Sequence, residues 1–192
     1  MPRTRSSNAK HIHQLKITLK HIKPPIWRRI QIVGDISLGD LHYIVQAVMG
    51  WENDHLHVFR VGKVEYATLE GDQAVTSMGV RDEWETEVRK VLPGVGRKIL
   101  YEYDFGDSWK HDVVVERIIL AEGGKQYPVC LAGARACPPE DCGGPYRYAS
   151  FASAVCDPKH PDHRYWREWF DGDFDPEAFD LEAINQRLGP QS

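Results

Sequence analysis

Apolar and polar residues alternate through Leu15, Ile17 and Leu19, break at Lys23-Pro24-Pro25, and resume as an extended, β-branched run from Ile26 to Val33. A period of two is the mark of a half-buried strand, so this region predicts strand, turn, strand. From Ser37 the period lengthens: Leu41, Ile44, Val45, Val48 and Met49 recur at the three-and-four spacing of one helical face. Ser37 and Asp40 are placed as a capping box and Gly50 as a stop, which predicts a helix between them. The stretches from His55 to Val61 and from Val64 to Ala67 flank Gly62-Lys63 and predict a second hairpin.

Thr68 to Gly79 has no clear period and reads as a loop, whereas Val80, Trp84, Val88, Val91 and Leu92 share a helical face that ends at Pro93-Gly94. Ile99, Tyr101, Tyr103 and Phe105 alternate into Gly106-Asp107, and Trp109, His111, Val113 and Val115 alternate out. Lys98 to Arg117 is therefore predicted to be a third antiparallel hairpin, turning at Phe105 to Ser108. After Ala121 comes a Gly/Pro/Cys-rich connection of about thirty residues, long for a compact domain. Three helices are predicted beyond it: Phe151 to Val155, Pro161 to Phe170, and Pro176 to Leu188 with Asp175 as N-cap. The expected fold class is α+β: a single domain over residues 12–190, with an antiparallel or mixed sheet, a β-grasp-like ββαβ first half, a further β-hairpin and C-terminal helices. Met1 to His11 reads as a disordered arm.

Composition narrows the class. At 192 residues, with 42% hydrophobic and 27% charged positions, the chain can bury the core of one domain. No apolar run approaches the roughly 20 residues that span a bilayer, and the N-terminus lacks a signal-peptide pattern, so no membrane partner and a cytoplasmic location are expected. The net charge of −4 lacks the basic excess usual in proteins that grip a phosphate backbone. Local exceptions are Arg3, Arg5 and Lys10, then Lys16, Lys20, Lys23, Arg28 and Arg29, which fit either a solvated strand face or a nucleic-acid patch. In this setting the four cysteines read as thiols or metal ligands rather than disulfides.

Asp104-Phe105-Gly106 is the tripeptide that holds magnesium in protein kinases, but the Gly-rich loop, strand lysine and catalytic-loop motif that would accompany it are missing. Asp104, Asp107 and His111 could bind a ligand or carry acid–base chemistry with carboxylates from elsewhere; otherwise Asp107 supports the turn while Trp109 and the tyrosines fill core. Strand alternation puts His111 on the Trp109 face and Asp112 on the other. Cys130, Cys137 and Cys142 could supply three thiolates to one structural zinc, with Cys156, His160 or His163 as the fourth ligand; alternatively they are unconnected thiols on a loop held by Pro138-Pro139. Glu140-Asp141 could bind a divalent cation or accept turn amides, and His55 and His57 could share one strand face. No phosphate-binding loop, dinucleotide fingerprint, H-E-x-x-H or G-x-S-x-G occurs.

Taken together, the blocks Tyr103 to His111 (YDFGDSWKH), Ala136 to Gly144 (ACPPEDCGG) and Phe174 to Asp180 (FDPEAFD) resemble the plasmid pRiA4b ORF-3-like family. The segment Leu15 to Ile32 and His55-Leu56-His57 fit as well, and the resemblance spans about residues 12 to 188. It implies a single α+β domain and no established biochemical function; some members carry a transposon resolvase label, and some are joined to DNA-binding domains. A serine recombinase needs an early nucleophilic serine and a basic recognition helix, whereas here Ser6 and Ser7 lie in the expected arm and the last helices are acidic and aromatic. The expectation is a noncatalytic binding or adaptor module associated with mobile elements. Its surface is built from the YDFGDSW hairpin and the CPPEDCGG loop, with Asp104, Asp107, Trp109, His111, Glu140 and Asp141 as binding residues and a protein or nucleic acid as partner. The alternative is a metal-dependent phosphoester hydrolase using Asp104, Asp107, His111, Glu140 and Asp141; a nucleic-acid-binding accessory role comes third.

Overall fold

The computed structural model describes residues 10–69, 79–170 and 172–189. Most of the expected arm, with Ser6 and Ser7, and residues 70–78 of the expected loop lie outside them. Strands β1 (His11–Leu19) and β2 (Trp27–Val33) pair antiparallel, followed by helix α1 (Leu38–Met49), then β3 (His57–Val61) and β4 (Val64–Ala67). Next come β5 (Arg81–Asp82), α2 (Val88–Val91), β6 (Lys98–Tyr103), β7 (Trp109–Leu120) and β8 (Val129–Ala134). Helices α3 (Gly144–Cys156), α4 (His163–Trp169) and α5 (Leu181–Leu188) close the chain. One eight-stranded sheet runs β5-β4-β3-β6-β7-β1-β2-β8, antiparallel except for β4 and β5, so the protein is a single α+β domain with a mixed sheet. The predicted ββαβ order is present, with the β6–β7 hairpin inserted between β3 and β1.

α1 forms where its caps dictate. The Ser37 hydroxyl oxygen accepts from the Asp40 amide, the Asp40 carboxylate accepts from the Ser37 amide, and Gly50 ends the helix at φ 90°. Its apolar stripe, Leu38, Leu41, Val45 and Val48, packs into the same core as Leu15, Ile17, Ile30, Tyr101, Trp109 and Val113 of the sheet. The predicted third hairpin is observed: Lys98 to Tyr103 pairs with Trp109 to Val114, and Tyr103 stands opposite Trp109 across the turn. Arg28 is a buried charge among these apolar neighbours, 3% exposed. Its guanidinium donates to the carbonyls of Val48 at 2.9 Å, Trp27 at 2.9 Å and Ala134 at 3.0 Å, tying the end of α1 to the end of β8.

Several expectations are corrected. Val80 to Leu92 is not one helix: Arg81–Asp82 joins the sheet beside β4, and only Val88–Val91 is helical. The reason is backbone pairing, because Leu38 N donates to Glu83 and Thr86 carbonyls, and Val88 N and Arg89 N donate to the Ile36 and Gly34 carbonyls. The Asp82 carboxylate accepts from Trp84 N and turns the chain between β5 and α2. The long connection after Ala121 contains β8, with no readable alternation; it forms by antiparallel pairing with β2 and becomes the edge of the sheet. α3 is longer than Phe151 to Val155, starting at Gly144 with Pro145 in its first turn. α5 starts at Leu181, with the Asp180 carboxylate accepting from Ala183 N, while Asp175 caps only a turn through Glu177 N. Of the first-hairpin cations, Arg28 is buried, Arg29 is paired with Glu116 at 2.6 Å, Lys20 lies 3.5 Å from Asp112 and Lys16 sits over the Trp27 ring, while Lys23 is exposed.

Two predictions follow from the core. Trp109 is fully buried, so Trp109→Ala should lower stability by about 3 to 5 kcal/mol through lost transfer energy and a cavity, read as a fall in the denaturant midpoint. Burial also drives the pKa values of His42 and His111 down to about 3, with the stacked neighbour His57 adding to the effect on His42. The unfolded chain takes up these protons near pH 6.5 and the folded chain only near pH 3. Stability is therefore complete above about pH 6.5 and is lost on acidification, by up to about 1.4 kcal/mol per pH unit for each histidine. Denaturant midpoints measured from about pH 7 down to about pH 4 should fall steadily, and His42→Gln should flatten the slope if it folds; a constant midpoint would contradict the assignment.

Candidate functional site at the junction of two loops

Three segments far apart in sequence converge at one end of the central strands. The first follows the Gly50 cap, the second is the β6–β7 turn, and the third connects β8 to α3. Trp51 wedges between them: its ring stacks on Tyr103 with centroids 5.0 Å apart, and its indole N–H donates to the Pro138 carbonyl at 2.9 Å. The Tyr103 hydroxyl accepts from Asp54 N at 3.1 Å and donates to Glu140 Oε1 at 3.0 Å. Glu52 N donates to the same Oε1 at 3.0 Å. Asp107 Oδ2 accepts from Gly143 N at 2.9 Å, so the two loops singled out in the sequence are locked face to face.

The lock demands glycine. A Cβ on Gly144, at φ 76°, would lie 2.5 Å from the Asp107 carbonyl oxygen, a backbone atom that cannot step aside. Four of the six non-glycine residues with positive φ among the described residues also lie here: Asn53, Asp104, Ser108 and Asp141. Left-handed backbone costs free energy and persists where surrounding bonds enforce it. At Asp104 the enforcing bonds are its own Oδ1 accepting from Gly106 N at 2.8 Å and Asp107 N at 3.2 Å.

The result gathers charge around His55. Its Nε2 lies 3.1 Å from Asp141 Oδ1, 3.8 Å from Asp104 Oδ2 and 3.9 Å from Glu140 Oε2. Asp104 is 9% exposed at its side chain and Asp141 71%, so the cluster runs from the interior to solvent. Burial holds the Glu140 carboxyl above the usual carboxylate range, against the opposing bonds from Glu52 N and Tyr103. Beside the cluster an open cleft of about 490 Å³ is lined by Tyr43, Trp51, Glu52, Asn53 and Arg187.

The structure thus brings Asp104, Glu140 and Asp141 together, with Asp107 serving as the clamp behind them. Trp109 and His111 are fully buried in the core and reach no ligand. His55 and His57 do not share a site: His57 stacks on His42 at 3.5 Å and bonds to Glu83 at 2.8 Å beneath α1. Among the described residues, the group of three metal-capable side chains with ligand atoms within 4.8 Å is His55, Asp104 and Asp141; Cys130, Cys137 and Cys142 form no such group. Burial pushes the Cys137 and Cys142 thiols up to about 12, and Cys130 also upward. Trp51, Glu52 and the separate role of His55 are missed by sequence reasoning; the available signal is the run WENDH directly after a helix stop.

Fold and site define a single-domain α+β protein with an acidic, histidine-centred cluster at a loop junction. The chain belongs to the plasmid pRiA4b ORF-3-like protein family, whose model matches residues 11–183. It is 35% identical over 177 residues to "Uncharacterized protein y4hQ" of Sinorhizobium fredii, covering 91% of this chain and 89% of that one. It is also similar to a solved structure, the "Protein of Unknown Function MM3350" from Methanosarcina mazei Go1, at 35% identity and a TM-score of 0.80, covering 91% of this chain and 98% of that one. Among the described residues no helix is long and apolar enough to cross a membrane.

Replacing Gly144 by Ala should cost about 2 kcal/mol or more, from strained φ and the clash with Asp107. Thermal melting checks it, with Gly123→Ala as the neutral control, because a methyl there meets nothing within 4 Å.

Proposed function

We propose that the protein works as a binding module, associated with mobile elements as its family name suggests, whose recognition surface is the junction of the 103–109 and 137–144 loops. The observation that carries this reading is the mutual locking of the two loops, through Asp107 with Gly143 and Tyr103 with Glu140, around carboxylates that reach solvent. Exposed aromatics flank it: Phe105 in the turn is 45% exposed and Tyr146 in the first turn of α3 is 90% exposed. Rigid aromatic rings beside fixed charge are the usual anchors of a protein partner. A nucleic-acid partner has less support, since three cations of the β1–β2 hairpin are withdrawn from solvent or paired: Arg28 is buried, and Arg29 and Lys20 face Glu116 and Asp112.

The His55–Asp104–Asp141 grouping favours one second reading, a metal-dependent phosphoester hydrolase with Glu140 as the acid–base group and the neighbouring cleft for substrate. One pair of experiments separates the two. Phe105→Ala with Tyr146→Ala should leave stability within about 0.5 kcal/mol, as exposed sites do, yet abolish the cross-linked partner recovered with the wild-type chain. Equal recovery from both proteins sinks the module. Turnover of bis(p-nitrophenyl) phosphate that requires added Mn²⁺ and vanishes in Asp104→Asn would select the hydrolase.

A further inference from the structure

The ligand atoms around His55 are arranged for something none of them supplies. Asp104 and Glu140 each have one carboxylate oxygen tied down, Oδ1 by the Gly106 and Asp107 amides and Oε1 by the Glu52 amide and the Tyr103 hydroxyl. The other oxygen of each lies within 4 Å of His55 Nε2. None of these approaches is a hydrogen bond, and His55 Nε2 and Glu140 Oε2 are both buried atoms without a hydrogen-bond partner. Buried polar atoms are ordinarily satisfied, and a ring nitrogen facing free carboxylate oxygens is the environment an ion completes.

We propose that His55 Nε2, Asp104 Oδ2 and Asp141 Oδ1 bind one divalent transition-metal ion, with Glu140 Oε2 accepting from a water on that ion. Donors bonded to one ion at about 2.1 Å lie roughly 3.0 to 3.4 Å from one another. The His55–Asp141 separation of 3.1 Å already fits, and the His55–Asp104 separation of 3.8 Å needs an inward shift of a few tenths of an ångström. One imidazole with two carboxylates suits Mn²⁺, Fe²⁺, Co²⁺ or Zn²⁺ over Ca²⁺ or Mg²⁺, which favour oxygen-only shells. Because Asp141 is 71% exposed, the remaining coordination positions face solvent, where a partner's carboxylate or phosphate can reach them. The inference rests on the binding-surface reading and names what that surface holds.

The test uses the full chain stripped with chelator and titrated with Mn²⁺ by calorimetry and electron paramagnetic resonance, and with Co²⁺ by optical absorption. One ion per chain is expected, with a rise in melting temperature on binding. Asp104→Asn keeps the Oδ1 acceptor that holds the turn, so it should fold while weakening binding by roughly tenfold or more, as should His55→Ala; Cys137→Ser should bind as wild type. A Co²⁺ spectrum without a thiolate charge-transfer band agrees with this donor set. A strong thiolate band lost in Cys137→Ser, or no binding of Mn²⁺, Co²⁺ or Zn²⁺ to the stripped wild-type chain, overturns the site. Partner recovery that survives such a failure leaves the binding surface standing; loss of partner recovery in Phe105→Ala/Tyr146→Ala is read independently of metal.

Discussion

The contact on which the site depends is the close approach of two backbones, Gly144 against Asp107. With no Cβ at Gly144 the start of α3 can lie on the β6–β7 turn, Asp107 can take the Gly143 amide, and Glu140 is delivered to Tyr103. Trp51 does the same from the other side, holding Pro138 while stacking on Tyr103. Carboxylates that would repel one another are thus placed side by side by main-chain bonds, and the cost of crowding them is met by the fold rather than by each residue.

Behind this rim lies an unusually polar interior. His42 bonds to Tyr101 and Asn53, Gln46 donates to the same tyrosine hydroxyl, and His57 pairs with fully buried Glu83. Such a network fixes the seating of α1 on the sheet more tightly than apolar contacts, because any slip leaves buried groups unpaired. It also accounts for Glu83, an acid in a segment that reads as a helix with its apolar face elsewhere, yet fully buried in the core.

What was legible in the sequence was whatever local chemistry decides. The caps of α1, the alternation on both sides of Gly106-Asp107 and the turn at Gly62-Lys63 each act within a few residues. Non-local pairing decided the rest: β8 has no pattern of its own and is defined by the edge of β2, while Arg81 to Leu92 obeys bonds to β4 and to the start of α1. The site follows the same division. Asp104, Glu140 and Asp141 stand out as acids in Gly-rich turns, and their sharing one surface is the outcome the two loops suggested. His55 was visible only as the neighbour of His57, since nothing local says that one turns out to the rim and the other inward. Trp109 and His111 belong to the core by the very alternation that placed them beside the turn.

The buried guanidinium of Arg28 gives α1 a dependence of a different kind. A helix end carries unsatisfied carbonyls and partial negative charge, commonly answered by a lysine or arginine in its own last turn. α1 has none there, and Arg28 from β2 answers the Val48 carbonyl instead while holding Ala134 at the far strand. The counter-charge of the helix is therefore stored in the sheet, so α1 is not a portable unit. Grafted onto another scaffold it would end in a bare carbonyl, and a lysine at position 28, lacking the planar fork, could not hold helix, strand and edge at once.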